Sequence, residues 1–271
     1  PTKAWENRPC QGATVWYMSA MHDLTALQQT QTTTFSGRNV ELMKDVRKYL
    51  DEAGKLSGAK VLSFGCSTGE ECLDLAEVMP DGRIYGTDIN EKALIKARAQ
   101  CPEDITIFMS AESSLAKHGP FDAIFAMSVF CKWPKTSDMT DISEVYPFSL
   151  FEEGISTLDR HLKPGGVLCL YNSQYMLDDT ALAELYQPLD RSQPLSSGWM
   201  FRCSPDGRVA TRCHFEFEGT IYTAQQWADN AKANRGKPPR PGIVNVFQKW
   251  EDEARSGHQQ PDAVIWRKAS T

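Results

Sequence analysis

Between residues 60 and 171 short apolar runs alternate with amphipathic stretches, and this alternation limits the possible folds more than any other feature of the chain. The runs Lys60–Phe64, Arg83–Thr87, Ile105–Met109, Phe121–Ala126 and Val167–Tyr171 have the length and bulk of buried strands. Helices are predicted between them, over Glu70–Met79 and over Glu91–Gln100, the latter with Ala93, Leu94 and Ala97 on one face. A longer helix carries Phe148, Phe151, Ile155, Leu158 and Leu162 at helical spacing until Pro164-Gly165-Gly166 stops it. Another is predicted from Arg38, with Leu42, Val46, Tyr49 and Leu50 recurring on one side. Strands that alternate with helices imply a parallel sheet covered on both faces. The expectation is an α/β fold, a doubly wound and mostly parallel sheet whose cofactor-binding core spans 60–175 of a domain over 38–271.

The flanks read differently. Residues 1–37 form an N-terminal lid or cap, with an aromatic patch at Trp16, Tyr17 and Met18 and a short helix around 19–29. The polar run Gln28 to Thr34 has little apolar surface to bury and is expected to be a linker or a mobile lid. Substrate-side additions occupy 176–222: a helix over 178–187, a loop over Pro188–Ser197, and antiparallel strands at Trp199–Cys203 and Val209–Tyr222 around the turn Ser204-Pro205-Asp206-Gly207. The segment 223–271 holds Pro238, Pro239 and Pro241 with a basic cluster, Lys232, Arg235, Lys237 and Arg240, read as a solvated loop in preference to an anion site.

In an open α/β sheet ligands bind outside the carboxyl ends of the strands, where the strand order reverses. The first such loop is Gly65-Cys66-Ser67-Thr68-Gly69-Glu70-Glu71, whose glycines let a ligand approach the backbone. Asp88 ends the second strand, 19 residues after Gly69, where a carboxylate can accept from a ribose diol. Asn90, two residues on, is available to cap the following helix. The turn Lys163-Pro164-Gly165-Gly166 stands directly before the fifth strand.

Val61–Gly69, Asp88, Phe121–Ile124 and Lys163–Gly166, taken in that order, resemble the class I S-adenosylmethionine-dependent methyltransferases over residues 60–172. A nicotinamide-dinucleotide domain competes, but the first loop is G-x-x-x-G without the third glycine of that fingerprint, and Lys-Pro-Gly-Gly has no place in it. The first loop and Thr87-Asp88-Ile89-Asn90 are locally similar to the chemotaxis-receptor glutamate methyltransferases, without the Arg-Asn pair after strand four. The resemblance implies S-adenosyl-L-methionine as cofactor, held by Gly65, Cys66, Ser67, Gly69, Glu70, Asp88, Ile89, Ala111, Glu112, Met127 and Ser128. The usual strand-one acid of the family is Ser63 here, and the middle loop glycine is Ser67. The chemotaxis likeness suggests that Glu70 or Glu71 meets the cofactor's ammonium group instead, although both also suit a helix N-terminus. Glu112 is placed to accept from the adenine amine, and Met127 and Ser128 to pass near the sulfonium.

A sulfonium methyl is already activated, so alignment of the acceptor and exclusion of water carry most of the catalysis. Candidate catalytic residues are Tyr171, Tyr175 and Tyr17, with Asn172, Lys132 and Trp133 also at the correct edge; Trp16 and Tyr17 fit a lid or a core equally. His161 is read as structural, His118 as a surface turn, and His22 and His214 have no supporting spacing. With 29 Lys+Arg against 35 Asp+Glu the net charge is −6, which disfavours nucleic acid as substrate. No apolar run reaches the roughly 18 residues of a membrane span. The chain starts at Pro1 without a visible secretory signal, and its eight cysteines show no C-x-x-C or zinc spacing, so a reducing cytoplasm is expected. A small-molecule acceptor is the first reading. A protein carboxylate and a catalytically silent methyltransferase-like subunit are the alternatives.

Overall fold

Each central strand is apolar at nearly every position, and the period of two divides those side chains between two cores. Val61, Ala123, Phe125, Met127, Val167, Cys169 and Tyr171 face one way, and Leu62, Ile124, Ala126, Leu168 and Leu170 the other. In the computed structural model, residues 28, 29, 31, 32, 34–136, 139–192, 202–217, 220–223, 226, 244–250 and 263–270 are described. Trp16, Tyr17, Met18, His22 and the basic cluster at 232–240 lie outside them.

The elements follow in the expected order: α1 (Val40–Glu52), β1 (Lys60–Phe64), α2 (Glu70–Val78), β2 (Arg83–Asp88), α3 (Glu91–Gln100), β3 (Thr106–Met109), α4 (Glu112–His118), β4 (Phe121–Met127), α5 (Phe148–His161) and β5 (Leu162–Tyr171). Leu42, Val46 and Leu50 of α1, Cys72 and Leu75 of α2 and Leu94 of α3 fill the first core. Leu115 of α4 and Phe151, Ile155 and Leu158 of α5 fill the second. β6 (Tyr186–Pro188) and β10 (Ile265–Lys268) complete a seven-stranded sheet in the order β3-β2-β1-β4-β5-β10-β6. The pairs β1–β2, β2–β3, β1–β4 and β4–β5 are parallel, and β10 runs antiparallel to both β5 and β6. A Rossmann-like, doubly wound sheet is therefore the observed fold, with its order reversing between β1 and β4. β7 (Thr211–Phe217), β8 (Thr220–Thr223) and β9 (Val244–Trp250) form a separate antiparallel sheet in the order β8-β7-β9.

Three expectations change. The sheet does not end at residue 175, because β10, from the C-terminal segment, is hydrogen-bonded between β5 and β6 with Trp266 opposite Leu168. A four-residue strand so far along the chain has no local signal that pairs it with β5. The helix expected over 178–187 is two single 3-10 turns, Leu177–Asp179 and Ala183–Leu185, before β6. The single strand expected over 209–222 is broken into β7 and β8.

Two of the four sequence motifs meet at the strand starts, away from the carboxyl-edge loops. Lys163 of the Lys-Pro-Gly-Gly turn donates from Nζ to Asp122 Oδ2 at 2.8 Å, and the same oxygen accepts from Lys60 N at 2.9 Å. Asp122 is buried. One carboxylate thus locks together the starts of β1, β4 and β5, at the edge opposite the loops.

Candidate cofactor and acceptor site

At the carboxyl edge the β1 loop is built on backbone that side chains disfavour. Gly65 and Gly69 have φ of +80° and +101°. A Cβ on Gly65 would stand 2.5 Å from Val129 Cγ2, so the loop after β4 leans directly on it. Gly65 N and Cys66 N both donate to Thr87 O, at 2.8 and 2.9 Å. Asp88 closes the loop: its Oδ2 accepts from Ser67 N and its Oδ1 from Asn90 N, each at 2.8 Å. Asn90 itself caps α3, its side chain accepting from Lys92 N and Ala93 N, which frees Asp88 from that duty. A carboxylate has about four acceptor sites, so two remain on Asp88 for hydroxyl groups. Ile89 beside it is a large apolar side chain left 45% exposed, a surface suited to a flat aromatic base.

The two glutamates that open α2 diverge. Glu70 Oε2 accepts from Thr68 Oγ1 at 2.6 Å. Burial works to raise its pKa, but the hydroxyl of Thr68, with Gln100 and Lys96, outweighs this and holds it below the usual carboxylate value. Glu71 turns back to β1, where Ser63 Oγ donates to its Oε1 at 2.8 Å. Burial pushes the Glu71 carboxyl up to about 7 and Asp74 adds to this, against the Ser63 hydrogen bond and the Arg38 guanidinium. A carboxyl from the helix thereby lies against Ser63, the strand-one position where the resemblance led one to expect an acid. A contact seven or eight residues away is not visible as a spacing, which is why two adjacent glutamates were not separable in sequence. The expectation for Glu70 is corrected: its carboxylate is turned to Thr68 and toward α3.

Three further candidates have partners or burial that their position along the chain did not show. Glu112 pairs with Arg160 at 3.1 Å and His161 at 3.0 Å, across the α4–α5 contact. His161 is buried in that contact, as its structural reading required. Tyr175 is fully buried in an aromatic cluster with Tyr146, Phe148 and Phe151, and its hydroxyl donates to Tyr146 O at 2.5 Å. Burial holds its pKa far above the ordinary phenol value, so it is no base. Cys66 is buried as a whole residue, its N–H donating to Thr87 O.

Met127 and Ser128 end β4, and Tyr171 and Asn172 end β5. Ser128 N donates to Tyr171 O at 2.8 Å and Asn172 Nδ2 donates to Ser128 Oγ at 3.1 Å. Tyr171 packs in the first core. Ala111, the residue before α4, follows Ser110, whose N donates to Asp88 O at 2.9 Å. The site therefore runs along one edge, from Ala111 and Asp88 through the β1 loop to Ser128 and Asn172.

Of the polar run Gln28 to Thr34, the described residues Gln28 and Thr32 are hydrogen-bonded to the fold, as are Ser36 and Gly37 just after it. Tyr146 Oη donates to Gln28 Oε1 at 2.5 Å, and Gln28 Nε2 donates to Leu150 O at 2.8 Å. Ser67 Oγ donates to Thr32 O at 2.7 Å. Ser36 Oγ and Gly37 N donate to the Asp74 carboxylate at 2.5 and 2.7 Å. Its polar side chains, which argued against burial, are what fasten it across the edge, from the α5 side to α2.

A family model described as a methyltransferase domain matches residues 55–196, just over half of the chain. The chain belongs to this family. The methyltransferase-domain family uses S-adenosyl-L-methionine, and the residues present fit that group: a carboxylate with spare acceptors beside an exposed Ile89, and a second carboxyl lodged where the first strand lacks one. No curated protein matches the sequence. Among solved structures, the chain is similar to CalS10, an amino pentose methyltransferase from Micromonospora echinaspora bound to S-adenosylmethionine, at 20% identity over 62% of this chain and 58% of that one, TM-score 0.36. It is similar to the plantazolicin methyltransferase BpumL in complex with S-adenosylhomocysteine, at 15% identity over 59% and 55%, TM-score 0.37. A third is PKMT2 from Rickettsia typhi, at 20% identity over 50% and 26%, TM-score 0.37. The chain thus spans 58%, 55% and 26% of the length of these neighbours.

Proposed function

We propose that the protein transfers a methyl group from S-adenosyl-L-methionine to a small-molecule nucleophile. The observation that supports it best is the pair of carboxyl groups, Asp88 and Glu71, held on two sides of one glycine-bounded loop by Ser67 N and Ser63 Oγ. Asp88 holds the ribose hydroxyls, Ile89 the adenine face, and Glu71 the ammonium end, so that the cofactor lies along the edge with its sulfur toward β4.

When bound, the cofactor supplies an electrophilic methyl carbon on sulfonium. The chain's own part is alignment. Asp88 and Glu71 fix the two ends through charge-assisted hydrogen bonds. Thr32, whose carbonyl accepts from Ser67 Oγ, helps to shield the loop from water. Ser128 and Asn172 face the acceptor side. Effective alignment of this kind is worth several kcal/mol without an acid or base. Described helices include none long and apolar enough to cross a membrane. Cys66, Cys72, Cys101, Cys131, Cys169 and Cys203 are free thiols, which fits a reducing compartment.

Calorimetry with S-adenosylhomocysteine tests the cofactor assignment. Asp88→Ala is expected to weaken binding by about 1–3 kcal/mol, and unchanged affinity would remove Asp88 from the site. Tritiated methyl from S-adenosylmethionine, supplied with fractionated lysate, is expected in the small-molecule fraction. Label in protein, released by base as methanol, would replace the small-molecule reading by that of a carboxylate methyltransferase. Tight cofactor binding with label nowhere would make the protein a silent subunit.

A further inference from the structure

Among the described residues three other than glycine have positive φ: Ser67 at +50°, Ser128 at +60° and Asn172 at +53°. All three lie at the carboxyl edge, after β1, β4 and β5. Left-handed backbone is disfavoured for any residue with a Cβ and persists only where the surroundings hold it. Ser67 is accounted for by the cofactor loop and its hydrogen bonds to Asp88 and Thr32. Ser128 and Asn172 have no such account from the cofactor. They terminate neighbouring parallel strands, and they are bonded to each other through Asn172 Nδ2 and Ser128 Oγ.

Glycine would adopt either conformation without strain, so what these positions add is the side chains. The amide of Asn172 belongs to a buried residue, 8% exposed. Only one of its two polar ends is engaged among the described residues, on Ser128. A hydroxyl donates or accepts equally well, so Ser128 holds one end of the amide and leaves the other end available. Val129, next in the chain, stands against Gly65. The couple is therefore anchored directly beside the cofactor loop, on the side away from Asp88.

We propose that Ser128 and Asn172 form the acceptor-orienting element of the site, and that it orients an amine nitrogen through the carbonyl oxygen of Asn172. This rests on the cofactor reading above. An amide oxygen accepts an N–H but takes no proton at neutral pH. That suits a neutral amine, whose lone pair attacks without prior deprotonation, and does not suit a hydroxyl or carbon acceptor, which needs a base. In the step, the nitrogen lone pair forms the new N–C bond while the C–S bond breaks and its electron pair stays on sulfur. The resulting ammonium then gives its extra proton to solvent water. Ser128 and Asn172 are the specificity-determining residues in this scheme, set by their left-handed backbones to face one direction.

Sinefungin, in which a carbon bearing an ammonium group replaces the sulfonium and its methyl, probes this contact without turnover. The quantity read is its affinity divided by that of S-adenosylhomocysteine, which lacks any group there. Asn172→Gly keeps the backbone conformation and removes the amide, and is expected to lower that ratio by about tenfold or more. Asn172→Asp puts a charge in the same place and is expected to raise it. S-adenosylhomocysteine affinity and thermal midpoint should change little in Asn172→Gly. A ratio that stays constant in both variants overturns the proposal and leaves the cofactor reading standing. Failure of both ligands to bind the wild-type protein overturns the cofactor reading and the proposal with it. For the acceptor class, label from tritiated S-adenosylmethionine is expected in base-stable products retained on a cation exchanger. Label released by base, or carried in uncharged ethers, overturns the amine assignment.

Discussion

Glu71 makes cofactor affinity depend on pH in a way that can be worked out beforehand. Its carboxyl is pushed up to about 7 in the folded protein, from the ordinary 4.5 of a glutamate, because burial favours the neutral form. Pairing with the ammonium of S-adenosylhomocysteine requires the ionised form. About 10% of the protein is ionised at Glu71 at pH 6 and about 90% at pH 8, so affinity should fall roughly tenfold, or ~1.4 kcal/mol, between pH 8 and pH 6. The same shift acts on stability with the opposite sense. An acid raised in the folded state contributes fully below pH 4.5, and that contribution is lost as the pH rises through about 7. The loss is roughly 3 kcal/mol at ~1.4 kcal/mol per pH unit, and bound ammonium restores part of it at high pH. Calorimetric titrations at half-unit steps from pH 6 to 8 measure the first effect. Glu71→Gln keeps the Ser63 hydrogen bond and removes the charge: its affinity should be flat over this range and about tenfold lower at pH 8, while the ligand-free protein becomes more stable there. A flat wild-type profile, or the same slope retained in Glu71→Gln, refutes the assignment of the ammonium to Glu71.

Three other outcomes are expected. Asp122→Ala, which frees Lys163 and leaves Lys60 N without its acceptor, should cost about 2–3 kcal/mol in urea unfolding, with S-adenosylhomocysteine affinity unchanged; an affinity loss would mean that the far edge is coupled to the site. Ser67→Gly relieves a left-handed backbone at φ +50° and removes the hydroxyl that holds Thr32 O. Its thermal midpoint should stay equal or rise, while trypsin cleavage at Arg38 quickens about fivefold, the effect of ~1 kcal/mol less fastening; unchanged cleavage would show that Gln28 and Asp74 suffice. Tyr175→Phe loses one buried hydrogen bond to Tyr146 O and should cost about 1 kcal/mol of stability with methyl transfer within twofold of wild type, whereas a collapse of transfer at retained stability would return Tyr175 to the site.

The parallel sheet was legible because each strand from Lys60 to Tyr171 is short, apolar and followed by a helix, and such a pattern has few ways to bury both faces. Asp88 was legible because a strand-end acid stands at a fixed distance from a glycine loop along the chain. The directions of the Tyr175 and Glu112 side chains were not legible, for a common reason. Each stands at the right position after a strand, but a side chain's direction is set by what packs against it: Tyr146 and Phe151 drew Tyr175 inward, and Arg160 with His161 drew Glu112 aside. For the polar run Gln28 to Thr34, composition counts apolar surface and takes no account of the hydrogen bonds that Gln28 and Thr32 make with Tyr146, Leu150 and Ser67.

By itself the amino-acid order determined the alternation of strands and helices, the glycines of the first loop and the acid that ends β2, since all of these depend on periods and spacings a few residues long. Tertiary structure alone decided that β10 enters beside β5, that Glu71 and not Glu70 reaches Ser63, and that Ser128 meets Asn172. Those pairs are separated by 8 to 100 residues of chain, and their meeting depends on how two buried faces and one sheet edge close around them.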